Sequence, residues 1–156
     1  MKYLLFIIIA GCLLVSCNTT KSTAYMTYET QCLGVELDGS QTLLAWGEGK
    51  NKSDAEEQAK KNAVRDVIFK GINAGKTECT KSPLVNTPNA QQKFEDYFNA
   101  FFADGGEYKN YVKTDDHKRR SGDKEHYQYG EKRSVTVRVL RSELKKHLQN
   151  DGILPK

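Results

Sequence analysis

Nothing in these 156 residues spells out a chemistry. There is no G-x-S-x-G elbow, no H-E-x-x-H helix and no cysteine with a fixed histidine partner. Gly47-Glu48-Gly49-Lys50 stands between an expected strand and an expected helix, as phosphate loops do. A P-loop also needs a glycine at its first position and Ser or Thr after the lysine, where Asn51 stands. A dinucleotide fingerprint would need a small residue in place of Lys52. These glycines therefore read as turn residues. Histidine is scarce: His117, His126 and His147 are all there are. Asp115-Asp116-His117 suggests a metal ligand set, but metal sites converge from ordered elements, and two of the histidines flank a charged turn. The expectation is a solvated loop, with no metal, no cofactor and no enzymatic activity. Charge of one sign is lacking as well. Lys and Arg number 24 against 20 Asp and Glu, intermixed, with a formal net charge of +4. A nucleic-acid binder would show a basic stripe, so no nucleic-acid partner is expected. The longest apolar run, Tyr3 to Val15, would extend roughly 20 Å as a helix, short of a hydrocarbon core of about 30 Å.

That run is informative for another reason. Met1-Lys2 is a short cationic start, and Leu14-Val15-Ser16-Cys17 closes the apolar stretch. The tetrad matches the lipobox of bacterial lipoprotein signals, in which the cysteine receives diacylglycerol and becomes the new N-terminus. An ordinary secretory signal would end in an A-x-A pattern. Here the boundary is Val-Ser-Cys, and polar Asn18-Thr19-Thr20-Lys21-Ser22 follows at once. The expected organisation is a signal peptide over 1–16, a lipidated flexible tether over 17–29, one α+β domain over 30–151, and a tail over 152–156. About three acyl chains on Cys17 exceed the two signals needed for stable anchoring, so the membrane is an expected partner. By the enteric-type sorting rule, Asn18 in place of aspartate implies the outer membrane, with leaflet orientation left open.

Four cysteines then have separate fates. Cys12 would leave with the leader, and Cys17 would carry lipid. Cys32 and Cys79 remain, and an exported chain can join them. The bridge would close a loop of roughly fifty residues and stabilise by about 4 kcal/mol in the chain-entropy model. Two separate buried thiols are the alternative.

Periodicity gives the fold. Leu33, Val35 and Leu37 alternate with polar or small residues, the pattern of a half-buried strand. Asp38-Gly39 signals a hairpin, Leu43 to Trp46 returns as a second strand, and Gly47-Glu48-Gly49 breaks it. Ser53-Asp54-Ala55-Glu56 looks like a capping box. It opens a helix to about Ile72, with a stripe of Ala55, Ala59, Ala63, Val67 and Ile68. Lys60, Lys61, Arg65 and Asp66 suit its wet side. Asn73 to Thr87 reads as loop. Pro88 begins a second helix faced by Phe94, Tyr97, Phe98, Phe101 and Phe102 and ended by Gly105-Gly106. This aromatic stripe is either core or a partner groove. Tyr108 to Lys113 follows as a strand, and Asp115 to Glu125 as a charged turn. A fourth strand runs from Tyr127 and Tyr129 through Val135, Val137 and Val139. A final helix from near Ser142 buries Leu144 and Leu148, and Gly152-Ile153 reads as a Schellman stop. The expected fold is α+β, an antiparallel four-stranded sheet with helices packed mainly on one face, in the order ββααββα.

Leu44-Ala45-Trp46-Gly47-Glu48-Gly49, leading into Ser53-Asp54-Ala55-Glu56-Glu57-Gln58-Ala59-Lys60-Lys61-Asn62-Ala63, resembles two related groups. These are the small twenty-kilodalton outer-membrane lipoproteins and the N-terminal domain of the flagellar assembly protein T. Val135-Thr136-Val137-Arg138-Val139 before Leu144 and Leu148 is similar to the closing strand and helix of that fold. The resemblance covers roughly residues 30 to 150. It implies an envelope-associated interaction or scaffold protein and brings no catalytic residues.

Lys118-Arg119-Arg120 with Lys124 forms a positive tip, which is either a solvated hairpin end or a contact for anionic envelope components. Two function classes remain open. One is a lipid-anchored, non-catalytic structural or protein-interaction module with an envelope protein partner. The other is a ligand-binding or enzymatic, periplasmic-facing lipoprotein whose pocket has no sequence signature.

Overall fold

The alanine stripe lies where its small side chains suggest, flat against a sheet. The computed structural model describes residues 28–114, 124–127 and 130–155. Helix α1 (Lys52–Phe69) fully buries Ala55, Ala59, Ala63, Val64, Val67 and Ile68. Its cap is Asn51 rather than the expected Ser53. Asn51 is extended, and its side-chain oxygen accepts from the Asp54 amide at 3.1 Å. Asparagine is among the best residues for that position, so the helix starts two residues further upstream.

The strands are β1 (Gln31–Val35), β2 (Gln41–Gly49), β3 (Ala74–Gly75), β4 (Val112–Thr114), β5 (Lys124–Tyr127) and β6 (Gly130–Val139). Their order is β3-β1-β2-β6-β4, with β5 also paired to β6. The fold is α+β. The expected four-stranded, wholly antiparallel sheet in the order ββααββα is corrected to a mixed sheet in the order ββαβααβββα. Strand β3 lies inside the expected loop and runs parallel to β1, with Gln31 opposite Ala74 and Cys32 opposite Gly75. Two residues are too few to show an alternation. The expected fourth strand is in fact a hairpin: Tyr127 closes β5 opposite Gly130 of β6.

Gly47-Glu48-Gly49 does not break β2. These residues pair with Arg133, Lys132 and Glu131 in unbroken register. The glycines are needed because α1 crosses here at backbone distance. A Cβ on Gly47 would sit 2.2 Å from the Ala55 carbonyl oxygen and 2.3 Å from the Ala59 nitrogen. On Gly49 it would sit 2.5 Å from the Ala55 nitrogen.

The first hairpin also departs from its pattern. A bulge between Cys32 and Gly34 shifts the register, and β1 ends at Val35. Leu33 is only part-buried, Val35 is exposed, and Leu37 is fully exposed. The Asp38-Gly39 turn itself forms as expected. Asp38 Oδ1 accepts from the Ser40 amide at 3.0 Å and its hydroxyl at 2.6 Å, and Arg138 pairs with Asp38 from β6.

The expected second helix is two short ones, α2 (Ala90–Lys93) and α3 (Glu95–Phe101), separated at Phe94 by a non-helical φ of −118° and ψ of 36°. Their aromatics are core: Phe98, Phe101 and Phe102 are buried, and Phe98 meets Phe69 of α1 edge-on at 4.7 Å. In place of most of the expected strand at 108–113, a 3-10 turn (Glu107–Tyr111) precedes β4. It tucks the fully buried Tyr108 ring inward so that its hydroxyl donates to Glu57 of α1. This packing covers part of the helix face expected to be wet. Arg65 is exposed, but Lys60, Lys61 and Asp66 are half-covered. Lys61 pairs with Asp104 at 2.7 Å, and Asp66 accepts from the Thr30 hydroxyl.

Helix α4 (Arg141–Asn150) buries Leu144 and Leu148 in the same core as Leu43, Val137 and Val139. Its C-terminal stop forms as expected. Gly152 has φ +73°, and the Ile153 amide donates to the Leu148 carbonyl at 2.9 Å. Arg141 ties three elements together, donating to the Ser82 carbonyl at 2.9 Å and reaching the last turns of α1 at the Val67 carbonyl.

Ala63 is wholly buried where α1 meets the sheet, so Ala63→Leu should overpack the interface and cost about 1 to 3 kcal/mol. Lys52→Gln, on the exposed first turn, should stay within about 0.5 kcal/mol. Urea melts of the two variants measure the difference, and equal midpoints would mean that α1 is turned otherwise.

Candidate functional site

Helix α3, the 3-10 turn and α4 meet around one histidine. His147 and Asp151 are four residues apart, on one face of the α4 C-terminus. Tyr97 comes from α3, and Glu107 and Tyr111 from the 3-10 turn. The Tyr97 hydroxyl donates to Asp151 Oδ2 at 2.8 Å and lies 3.1 Å from His147 Nε2. The same Nε2 is 3.0 Å from Glu107 Oε2 and 3.2 Å from Asp151 Oδ2. The imidazole is stacked between Tyr111, at 5.1 Å between ring centres, and Phe101, at 5.9 Å. A cleft of about 450 Å³ opens beside this cluster, with Tyr97, Glu107, Asn110 and Asp151 on its walls.

The electrostatics decide what the cluster can do. Burial pushes the Tyr97 phenol well above the ordinary tyrosine range, and the Asp151 hydrogen bond and charge push it the same way. Burial raises the Tyr111 phenol too, with Glu107 as the next cause. Tyr97 therefore keeps its proton and acts as a donor rather than a nucleophile. Its proton points at Asp151, and the phenol oxygen also lies within hydrogen-bond reach of His147 Nε2. No serine, threonine or cysteine lies on the described walls of the cleft. The arrangement is a hydrogen-bonded clasp joining three elements.

A second network sits nearby, on α1. Burial of Glu57 opposes its charge, but hydrogen bonds from Tyr108, Lys109 and Lys60 outweigh that penalty and lower its pKa overall. Burial, with Glu57 as the next cause, holds the Tyr108 phenol far above its ordinary value. Lys109, on the rim of the cleft, is thus engaged with Glu57 at 3.2 Å.

Of the residues singled out from the sequence, Cys32 and Cys79 are joined in a disulfide, with their Cα atoms 5.9 Å apart. Cys17, Lys118, Arg119 and Arg120 lie outside the described residues, as do His117 and the side chains of Lys124 and His126. Sequence reasoning did not find the His147 clasp. The His147/Asp151 spacing was a usable signal, but Tyr97 and Glu107 join it only through tertiary packing. Among the described residues no group of His, Cys, Asp or Glu side chains is placed to hold a metal ion. No helix among them is long and apolar enough to cross a membrane. Comparison of this chain with protein-family models, curated proteins and solved structures finds no match to any of them.

Proposed function

We propose that this chain is a lipid-anchored cell-envelope protein acting as a non-catalytic structural or protein-interaction module. In this reading residues 1–16 are the signal, Cys17 carries the lipid, and Asn18 directs the protein to the outer membrane. The Cys32–Cys79 disulfide carries the compartment half of the proposal, because such bonds persist in oxidising surroundings and are rare in the cytosol. The polar groups of the Tyr97–His147–Asp151 cluster are turned on one another, which supports a scaffold role over catalysis. Likeness to the twenty-kilodalton lipoprotein and flagellar assembly protein T group belongs to the same proposal. Its support is the passage from β2 into α1 and from β6 into α4. The second reading, a ligand-binding or enzymatic lipoprotein, is favoured by the cleft beside Tyr97.

Lipidation has a direct test. In cells fed an alkyne fatty acid, the wild-type chain should take up label and fractionate with outer membrane, and Cys17→Ala should lose both. Full labelling of the Cys17→Ala protein would end the proposal. Crosslinking in intact cells with a tagged copy then tests for an envelope partner.

A further inference from the structure

The core of this domain lies on one face of the sheet. Leu43 and Ala45 of β2 and Val137 and Val139 of β6 point into it, together with side chains from all four helices. Alternation along the strands puts Trp46 and Glu48 of β2, and Lys132, Thr136 and Arg138 of β6, on the other face. The chain enters the domain on that second face. The Tyr28 ring meets Trp46 edge-on at 5.2 Å, and Lys132 Nζ lies 3.4 Å from its centre. Just beyond, Glu29 pairs with Lys70 at 3.4 Å and the Thr30 hydroxyl donates to Asp66. The chain is therefore held to the domain from Tyr28 onward.

Eleven residue steps separate Cys17 from Tyr28. Fully extended, they reach about 36 to 40 Å. As a random coil the same length averages roughly 17 to 20 Å, and as an α-helix it spans about 17 Å. A domain of about 130 residues has a radius of gyration near ~14 Å and is about 36 Å across. Turning the helical side to the membrane would carry Tyr28 nearly one diameter away from it. That demands a chain drawn almost to its limit, one arrangement among many, and conformational entropy opposes it. Turning the sheet face to the membrane demands no extension.

We propose that the sheet face around Tyr28 and Trp46 lies against the headgroup surface of the membrane that holds the Cys17 lipid. The helical side, with the cleft beside Tyr97, then faces the compartment and any partner there. The proposal rests on the lipid anchor and adds an orientation to it. Charges on this face are neutralised in place, Lys132 by Glu48 and Arg138 by Asp38. Tyr28 is 40% exposed and offers a ring with a polar tip, a side chain that settles readily where apolar and wet regions meet.

Trp46 is the single tryptophan of the chain and sits on the face in question, so it reports that face's distance from the membrane. The chain from Cys17 onward is coupled through that thiol to a maleimide lipid. The vesicles are phosphatidylethanolamine and phosphatidylglycerol with a trace of dansyl-labelled headgroup. Coupling fixes the anchor whether or not cells supply one, so failure of the alkyne label would leave this measurement intact. Energy transfer from Trp46 to dansyl should be at least about threefold stronger than from the outer side of α3, read with Asp96→Trp in a Trp46→Phe chain. Inserting about twenty Gly and Ser residues after Thr20 should bring the two signals together, since a longer tether frees the domain to turn. Transfer from native Trp46 should itself fall at least about twofold with that insertion, a readout that needs no change inside the domain. Equal transfer from the two positions on the short tether, or stronger transfer from α3, would overturn the proposal. Native Trp46 transfer that survives the insertion would also overturn it, because the face would then hold lipid by its own chemistry and not by the reach of the chain.

Discussion

Replacing Gly47 with alanine should strongly destabilise this domain, because the added methyl group would meet the backbone of a packed helix. The new Cβ would stand 2.2 Å from the Ala55 carbonyl oxygen and 2.3 Å from the Ala59 nitrogen. Both are backbone atoms in the middle of a helix, so no side-chain rotation relieves the overlap. Either α1 lifts from the sheet or β2 bends away from it. Lifting α1 opens the interface that buries Ala55, Ala59 and Ala63 against β2 and β6. Overpacking ordinarily costs about 1 to 3 kcal/mol, and a clash between two backbones belongs at or above the top of that range. Against a total stability of roughly 5 to 15 kcal/mol, the Gly47→Ala chain should melt far below wild type. Gly34→Ala is the matched control. It too lies in a strand, but its nearest neighbour would be the Glu78 side chain at an ordinary 3.6 Å. That change should move stability by no more than about 0.5 kcal/mol. Thermal and urea melts of the two variants give the comparison. If Gly47→Ala behaves like Gly34→Ala, α1 does not cross the sheet where it is drawn.

Gly47 also marks where a one-dimensional reading fails. In sequence a glycine between a strand and a helix signals freedom of φ, and Gly47-Glu48-Gly49 looked like a break. What the fold uses is the missing side chain, which matters only once another element lies on top. Spacing along the chain carries no trace of that. Features fixed by local chemistry were readable: the Asp38-Gly39 turn, the alanine stripe of α1, the burial of Val137 and Val139 (though Ser134, expected outward, is buried) and the stop at Gly152-Ile153. Those decided by distant partners were not. Leu33, Val35 and Leu37 alternate as a buried strand does, but the bulge after Cys32 and the end of β1 at Val35 leave Leu37 in solvent. Tyr108 opened an expected strand, yet its hydroxyl donates to Glu57, 51 residues earlier. The clasp on His147 was hidden for the same reason. Its members lie on three separate elements, and two of the three histidines pointed attention to a charged turn instead.

The disulfide should have the other large effect. Cys32 and Cys79 are 47 residues apart, and the loop they close contains β2, α1 and β3. In the chain-entropy model, opening a loop of that length removes about 4 kcal/mol of stability. Cys32→Ala/Cys79→Ala should therefore lower the melting temperature by roughly 12 to 20 °C, at some 3 to 5 °C per kcal/mol for a domain of this size. Wild type in strong reductant should follow it, but slowly, because both sulfur-bearing residues are almost wholly buried and reduction must await opening. The opposing consideration is that the segment around Cys79 has other holds. The Lys76 amide donates to the Cys32 carbonyl at 2.9 Å, the Val85 amide to the Ile68 carbonyl at 2.8 Å, and Arg141 reaches the Ser82 carbonyl. Each typical hydrogen bond of this kind contributes only about 0.5 to 1.5 kcal/mol net. They also act in the folded state alone, whereas the covalent bond limits the unfolded chain. They should keep the native arrangement of the reduced protein without replacing its lost stability. The expected result is thus a chain that still folds without the bond, with unchanged near-ultraviolet circular dichroism at low temperature and a much earlier melt. A double-alanine variant that melts within about 1 kcal/mol of wild type would show that these contacts, and not the cross-link, hold β1 to the segment beyond β3.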